Sequence, residues 1–142
     1  MKERRTGIPW FQKAENTDMT LKKTCHRGMP VAEIYSEEPL ITDTASALDL
    51  MATVKAETGC DRFVINKEAV AEDFFRLSTC LAGEILQKYI NYHMKLAIYG
   101  EYSGYTSKPL KDFLYESNQG KDVFFVSSLE EGLDRLAGAG NG

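Results

Sequence analysis

Few side chains in this sequence could carry out bond-making chemistry. Two histidines, His26 and His93, and three cysteines, Cys25, Cys60 and Cys80, are all the imidazoles and thiols in 142 residues. Nucleophilic catalysis needs a nucleophile, a base and an orienting group in contact. His93 closes a helical stretch, where the helix dipole favours a cation, and His26 precedes a turn and is expected to be exposed. No triad is supported. The cysteines are widely spaced, odd in number and lack a CxxC pair, so neither a zinc ribbon nor a disulfide framework is expected. Glu37–Glu38 and Glu130–Glu131 are adjacent pairs that point in different directions, and the second suits a helix N-terminus. Glu84 and Lys88 read as an i, i+4 ion pair. On this reading the chain has no catalytic residues, metal or cofactor.

One segment suits ligand binding better than the rest. Tyr99 to Lys108 (YGEYSGYTSK) leaves a strand, passes two glycines and enters a helix near a lysine. It lacks the GxGxxG and GxxxxGK[ST] spacings of phosphate loops, and Glu101 would oppose a phosphate. Turns explain the glycines, and a helix cap explains Ser107. The loop nevertheless holds Tyr102 and Tyr105 at the carboxyl end of a strand, the edge where open α/β sheets take ligands. The candidate ligand-binding residues are therefore Glu101, Tyr102, Tyr105, Ser107 and Lys108, joined by Thr79 at the start of the preceding helix. Helix N-termini at Thr79 and Ser107 would offer N–H groups to an anionic or carbonyl-bearing ligand.

The elements that must position this loop follow from periodicity. Thr20 to His26 and Val31 to Tyr35 read as a hairpin turning at Arg27, Gly28 and Met29. Thr42 or Asp43 caps a helix running to Thr58, with Leu48, Met51 and Val54 inward and Gly59 as its stop. Arg62 to Asn66 is a short buried strand. Ser78 or Thr79 opens a second helix that buries Leu81, Ala82, Ile85, Leu86 and Tyr89. Lys95 to Tyr99 is an apolar strand of the parallel-sheet kind. Ser107 caps a third helix, with Pro109 in its first turn and Leu110, Phe113 and Leu114 inward. Asp122 to Val126 is the last strand, and Ser128 with Glu131 forms a capping box for a final helix that buries Leu133 and Leu136. The order predicts an α/β fold: a mixed sheet led by an N-terminal antiparallel hairpin, then alternating helices and mostly parallel strands. Residues 1–18 read as a loosely ordered extension whose Ile8, Trp10 and Phe11 could dock. Residues 19–137 read as one domain, and 138–142 as a flexible tail.

Bulk composition agrees with one globular domain: 43% of residues are hydrophobic and 27% charged. A net charge of −4 argues against nucleic-acid and anionic-membrane surfaces. No apolar run reaches the roughly 18–20 residues of a membrane span, and the basic start lacks a signal peptide's apolar core. A reducing cytoplasm is the expected location. Tyr89 and Tyr92, three apart on the second helix, could border a homodimer interface or a protein partner.

Two segments, LAGEILQK (81–88) and YTSKPLKDFLYESN (105–118), resemble the signatures of a bacterial family known only as a domain of unknown function. ALDLM (47–51), KLAIYGEY (95–102) and FVSSLEEGLDRL (125–136) fit the same family, over roughly Met19 to Ala137. The family pattern carries glycine where this chain has Cys80. The element order is also similar to the STAS domain of anti-sigma-factor antagonists. That resemblance implies a non-enzymatic interaction or regulatory module, switched in STAS proteins by phosphorylation at the start of the second long helix. The matching positions here are Ser78 and Thr79. The aspartate before and the glycine after the STAS phosphoacceptor are replaced by Leu77 and Cys80, so the switch is not expected to carry over. The alternative is a small-molecule-binding protein or enzyme using the Glu101–Lys108 loop.

Overall fold

The computed structural model describes residues 19–139, so the extension, with Ile8, Trp10 and Phe11, and the last three residues lie outside the described part. Five strands and four helices alternate along it: β1 (Thr20–His26), β2 (Met29–Tyr35), α1 (Thr44–Thr58), β3 (Arg62–Asn66), α2 (Leu81–Asn91), β4 (Lys95–Tyr99), α3 (Lys108–Gln119), β5 (Val123–Val126) and α4 (Leu129–Gly138). The sheet runs in sequence order, β1-β2-β3-β4-β5, antiparallel in its first pair and parallel thereafter. The hairpin is tighter than the expected three-residue turn. Arg27 and Gly28 both take positive φ (54° and 80°), the two-residue geometry that matches strand twist, and β2 begins at Met29.

Sequential strand order has a simple consequence for layering. Each parallel step moves the same way across the sheet, so crossovers of one hand put α1, α2 and α3 on one face. Beneath them lies the larger core, including Ala32, Ile34, Phe63, Ile65, Leu96, Ile98 and Phe125. The intervening residues Val31, Val64, Ala97, Phe124 and Val126 face the other way and are covered by Leu133 and Leu136 of α4. Alternation at period two thus feeds both cores, which is why β3 and β5 are buried at every residue. Gly132 lets α4 lie close, since a Cβ there would stand 2.8 Å from Val64 Cγ2.

The caps explain most helix boundaries. Asp43 accepts from Ser46 N–H (2.7 Å), Gly59 ends α1 in the left-handed conformation, and Ser107 and Ser128 cap α3 and α4. Four details depart from the sequence reading. The buried face of α1 is Ala47, Leu50 and Val54, because small Ala47 lets α1 approach α2 closely enough for its carbonyl to accept from the Tyr89 hydroxyl (2.6 Å). Tyr89 is therefore a core residue and not part of an interface, whereas Tyr92 is exposed. Ser78 and Thr79 do not cap α2: they lie in a 3₁₀ turn, Leu77–Thr79, and Cys80 precedes the helix with φ 64°. At α4 only half of the capping box forms. The Glu131 N–H reaches Ser128 Oγ (3.1 Å), but its carboxylate accepts from the N–H and hydroxyl of Ser127.

Two cations lock the sheet's amino edge. Arg62, fully buried, donates from Nε to Asp61 (2.8 Å) and from Nη1 to the carbonyls of Leu136 (2.8 Å) and Ala139 (3.3 Å). It thereby adds a second donor to the Leu136 carbonyl, which the Ala139 N–H also reaches (3.3 Å), and helix α4 continues one residue into the expected tail. Lys95 Nζ ties β4 to β5 through Lys121 O (3.0 Å) and Asp122 (3.1 Å). No described helix is long and apolar enough to cross a membrane.

Candidate functional site

The parallel strands deliver their carboxyl ends to the opposite edge, where backbone must leave the sheet around two close approaches. Asn66, buried at the end of β3, accepts from Ser36 N–H (2.9 Å) and donates to Ser36 O (2.7 Å), latching the segment after β2 to β3. Gly100, just past β4, lies against Lys67: a Cβ at Gly100 would stand 2.6 Å from Lys67 Cβ. Only glycine fits there, and its absent side chain lets the lysine stem lie flat across the strand end.

That placement puts the Lys67 ammonium among three rings. It stands 4.8 Å from the Tyr105 centroid, 5.0 Å from Phe75 and 6.0 Å from Tyr102, with Glu72 Oε1 at 3.9 Å. Phe75 and Tyr105 stack at 5.3 Å, and Tyr102 meets Phe125 edge-on at 6.0 Å. The ring faces carry negative potential, so they and Glu72 together offset the cost of half-burying a cation.

Beside this box lies a cleft of about 520 Å³, walled on one side by Glu72 and Phe75 to Ser78, and on the other by Gly104 to Ser107 with Pro109 and Leu110. Its groups stack and hydrogen-bond: a ring face, hydroxyls, and the Arg76 guanidinium, held by Asp73 at 2.9 Å. The Tyr105 hydroxyl is buried and has no well-aligned hydrogen-bond partner among the described residues, although the Glu72 carboxylate stands near enough to act on it. Burial, with the Glu72 carboxylate adding to it, pushes its ionisation well above the usual tyrosine range. It therefore remains a neutral donor at any physiological pH.

The six residues singled out from sequence do not all meet here. Tyr105 and Ser107 line the cleft. Tyr102 stands behind it in the aromatic box, its hydroxyl donating to Ile98 O (2.7 Å) and its ionisation pushed up by burial. Glu101 turns out to solvent and accepts from the hydroxyl and N–H of Ser103, which hold its carboxyl below the usual range. Lys108 lies on the outer surface of α3, paired with Asp112 at 2.8 Å, an acceptor that raises its pKa. Thr79 is exposed and locally consumed: its hydroxyl lies 2.8 Å from the carbonyls of both Asp73 and Arg76 and accepts from Leu81 N–H (3.1 Å). It presents no free helix N–H, because Cys80 intervenes in left-handed backbone. Lys67, Glu72, Phe75 and Arg76 were missed, since none falls in a motif and only the chain's path through three short 3₁₀ turns brings them to Tyr105.

Of the two histidines, His93 lies at the surface past the end of α2 as expected, and His26 is less exposed than expected. His93 is exposed, but its backbone, at φ 61°, provides the left-handed reversal after α2, with Met94 N–H reaching Tyr89 O (2.8 Å). His26 is partly covered by α4, with Nε2 2.7 Å from Asp134 Oδ1.

A family model for a domain of unknown function, DUF4180, matches residues 26–136. The chain belongs to the DUF4180 family. The match runs from the last residue of β1 to the end of the α4 core, so it takes in strands β2 to β5, both clusters of buried core residues and the whole cleft. No curated protein matches the chain.

Proposed function

We propose that this DUF4180 domain is a non-enzymatic regulatory module, STAS-like in element order, that binds a small flat ligand in the cleft beside Tyr105. The buried Tyr105 hydroxyl carries this reading. A ligand carbonyl or carboxylate would give this hydroxyl a better-aligned acceptor than the neighbouring Glu72 carboxylate while its ring lies along the aromatic wall. The cleft's position outside the carboxyl ends of parallel strands supports the same reading. A protein partner or a second copy of the chain would then read the occupied state. The STAS-type phosphoswitch is not part of this proposal, because the Thr79 hydroxyl is engaged on both sides within its own turn.

The experiment is a thermal-shift screen of aromatic carboxylates and nucleobases, followed by titration of the best compound with backbone NMR. A ligand that binds only the folded state raises the melting temperature by mass action. Shifts should cluster at 75–78 and 104–110. Tyr105→Phe should weaken binding roughly threefold to tenfold, the worth of one hydrogen bond, whereas Glu101→Gln and Lys108→Ala should leave it unchanged. Shifts confined to Gly59 or Asn91, at the opposite edge, would reject the cleft.

A further inference from the structure

We infer that His26, Glu130 and Asp134 form a binding site for a divalent first-row transition metal, on the face of the sheet opposite α1–α3 and independent of the cleft. The three residues come from two elements. His26 ends β1, in register with Met29 of β2, whose side chain packs on the α4 core, so strand alternation turns His26 towards α4. Glu130 and Asp134 are four apart on α4 and share the helix face beneath it. One ligand atom from each residue lies within 4.8 Å of the others.

The chemistry of the set selects the ion. Imidazole favours zinc, nickel, copper and iron over calcium and magnesium, and two carboxylates supply the charge that stabilises a dication. Three protein ligands leave coordination positions for water, as in open zinc sites. Metal–ligand bonds of about 2.0–2.2 Å require the donors to draw closer than they now stand, and the side chains have that freedom. Glu130 is exposed and makes no hydrogen bond or ion pair with any described residue. Arg27, 3.2 Å from Asp134, has a largely exposed side chain and can swing away as the dication replaces it. His26 and Asp134, already 2.7 Å apart, would exchange their hydrogen bond for two metal bonds, with release of any proton on the imidazole. Cys25, beside His26 in sequence, pairs with Pro30 and points to the other face of the strand, so it is outside the set.

The test uses the full chain, stripped with a chelator and titrated with Co²⁺ or Zn²⁺ by calorimetry, with Co²⁺ also followed by visible absorption. One ion per chain should bind, with d–d bands and no thiolate charge-transfer band. Glu130→Gln is the cleanest variant, since Glu130 has no structural partner. It should weaken binding at least about tenfold, as should His26→Gln, with metal-free melting temperatures confirming that both variants fold. Cys25→Ser should bind as the unmodified chain does. Absence of binding at submillimolar metal, full affinity in Glu130→Gln, or a charge-transfer band lost in Cys25→Ser or Cys80→Ser would each overturn the assignment. None of these outcomes depends on whether the cleft binds a ligand.

Discussion

At Cys80 the backbone takes φ 64° just before α2, a conformation that costs a residue with a Cβ about 1 kcal/mol or more and costs glycine little. The resemblance to the family had placed glycine there, and the geometry explains why glycine suits the position. Cys80→Gly should raise the unfolding free energy by about 1 kcal/mol, whereas Cys80→Ala should leave it nearly unchanged. Urea midpoints of the three proteins separate these outcomes. Equal gains in both variants would mean that the thiol, and not the dihedral angle, carries the cost. Residue type alone showed Ser107 as a cap and Gly59 as a stop, because those roles follow from local chemistry. It could not show that Lys67 would enter an aromatic box, since the ring partners stand 8, 35 and 38 positions away and the approach depends on Gly100 having no side chain.

At the scale of elements, apolar patterning located the five strands and four α-helices, by period 3.6 in the helices and by alternating or continuous apolar runs in the strands. In α2 four of the five expected positions are buried, Ala82, Ile85, Leu86 and Tyr89, while Leu81 is half-buried. Ile85→Ala should therefore cost about 2–5 kcal/mol, and Lys88→Ala, on the exposed face, within about 0.5 kcal/mol of nothing. Chemical denaturation of the two variants measures both, and equal losses would contradict the assigned face. The segment between β3 and α2 was the least legible. Its three 3₁₀ turns have no repeating period, and they carry Lys67, Glu72 and Phe75 to Tyr105, with Arg76 between the second turn and the third. The loop after β4, with its two glycines, was legible from topology alone as lying at the carboxyl edge of the sheet, but the outward turns of Glu101 and Lys108 were not. Those depend on short local partners, Ser103 and Asp112, that compete successfully with a more distant site.

Across the whole molecule, the two edges of the sheet do different work. The carboxyl edge opens into a cleft, while the amino edge is locked by Arg62 and Lys95. Asp61, which holds Arg62, has its carboxyl below the ordinary value of 3.8, chiefly through the hydrogen bond from Arg62, with the guanidinium charge adding to it. A folded-state pKa below the unfolded one contributes stability that is present above about pH 4 and is lost as pH falls through the folded value. Urea midpoints taken from pH 7 to pH 2 should thus fall more steeply for the native chain than for Asp61→Asn, with the curves converging at the acid end. Parallel curves would remove Asp61 from the acid response. The lone helix α4 has a consequence for biosynthesis. Strands β2 to β5 emerge from the ribosome first, and α1 to α3 can cover one face as they appear. Val31, Val64, Ala97, Phe124 and Val126 must wait, wetted, for the helix that follows them all. A chain truncated near Ser128 would carry all five strands with one bare apolar face, a substrate for chaperones and a nucleus for aggregation. The ten residues of α4 therefore decide when that face is hidden from water and from other chains.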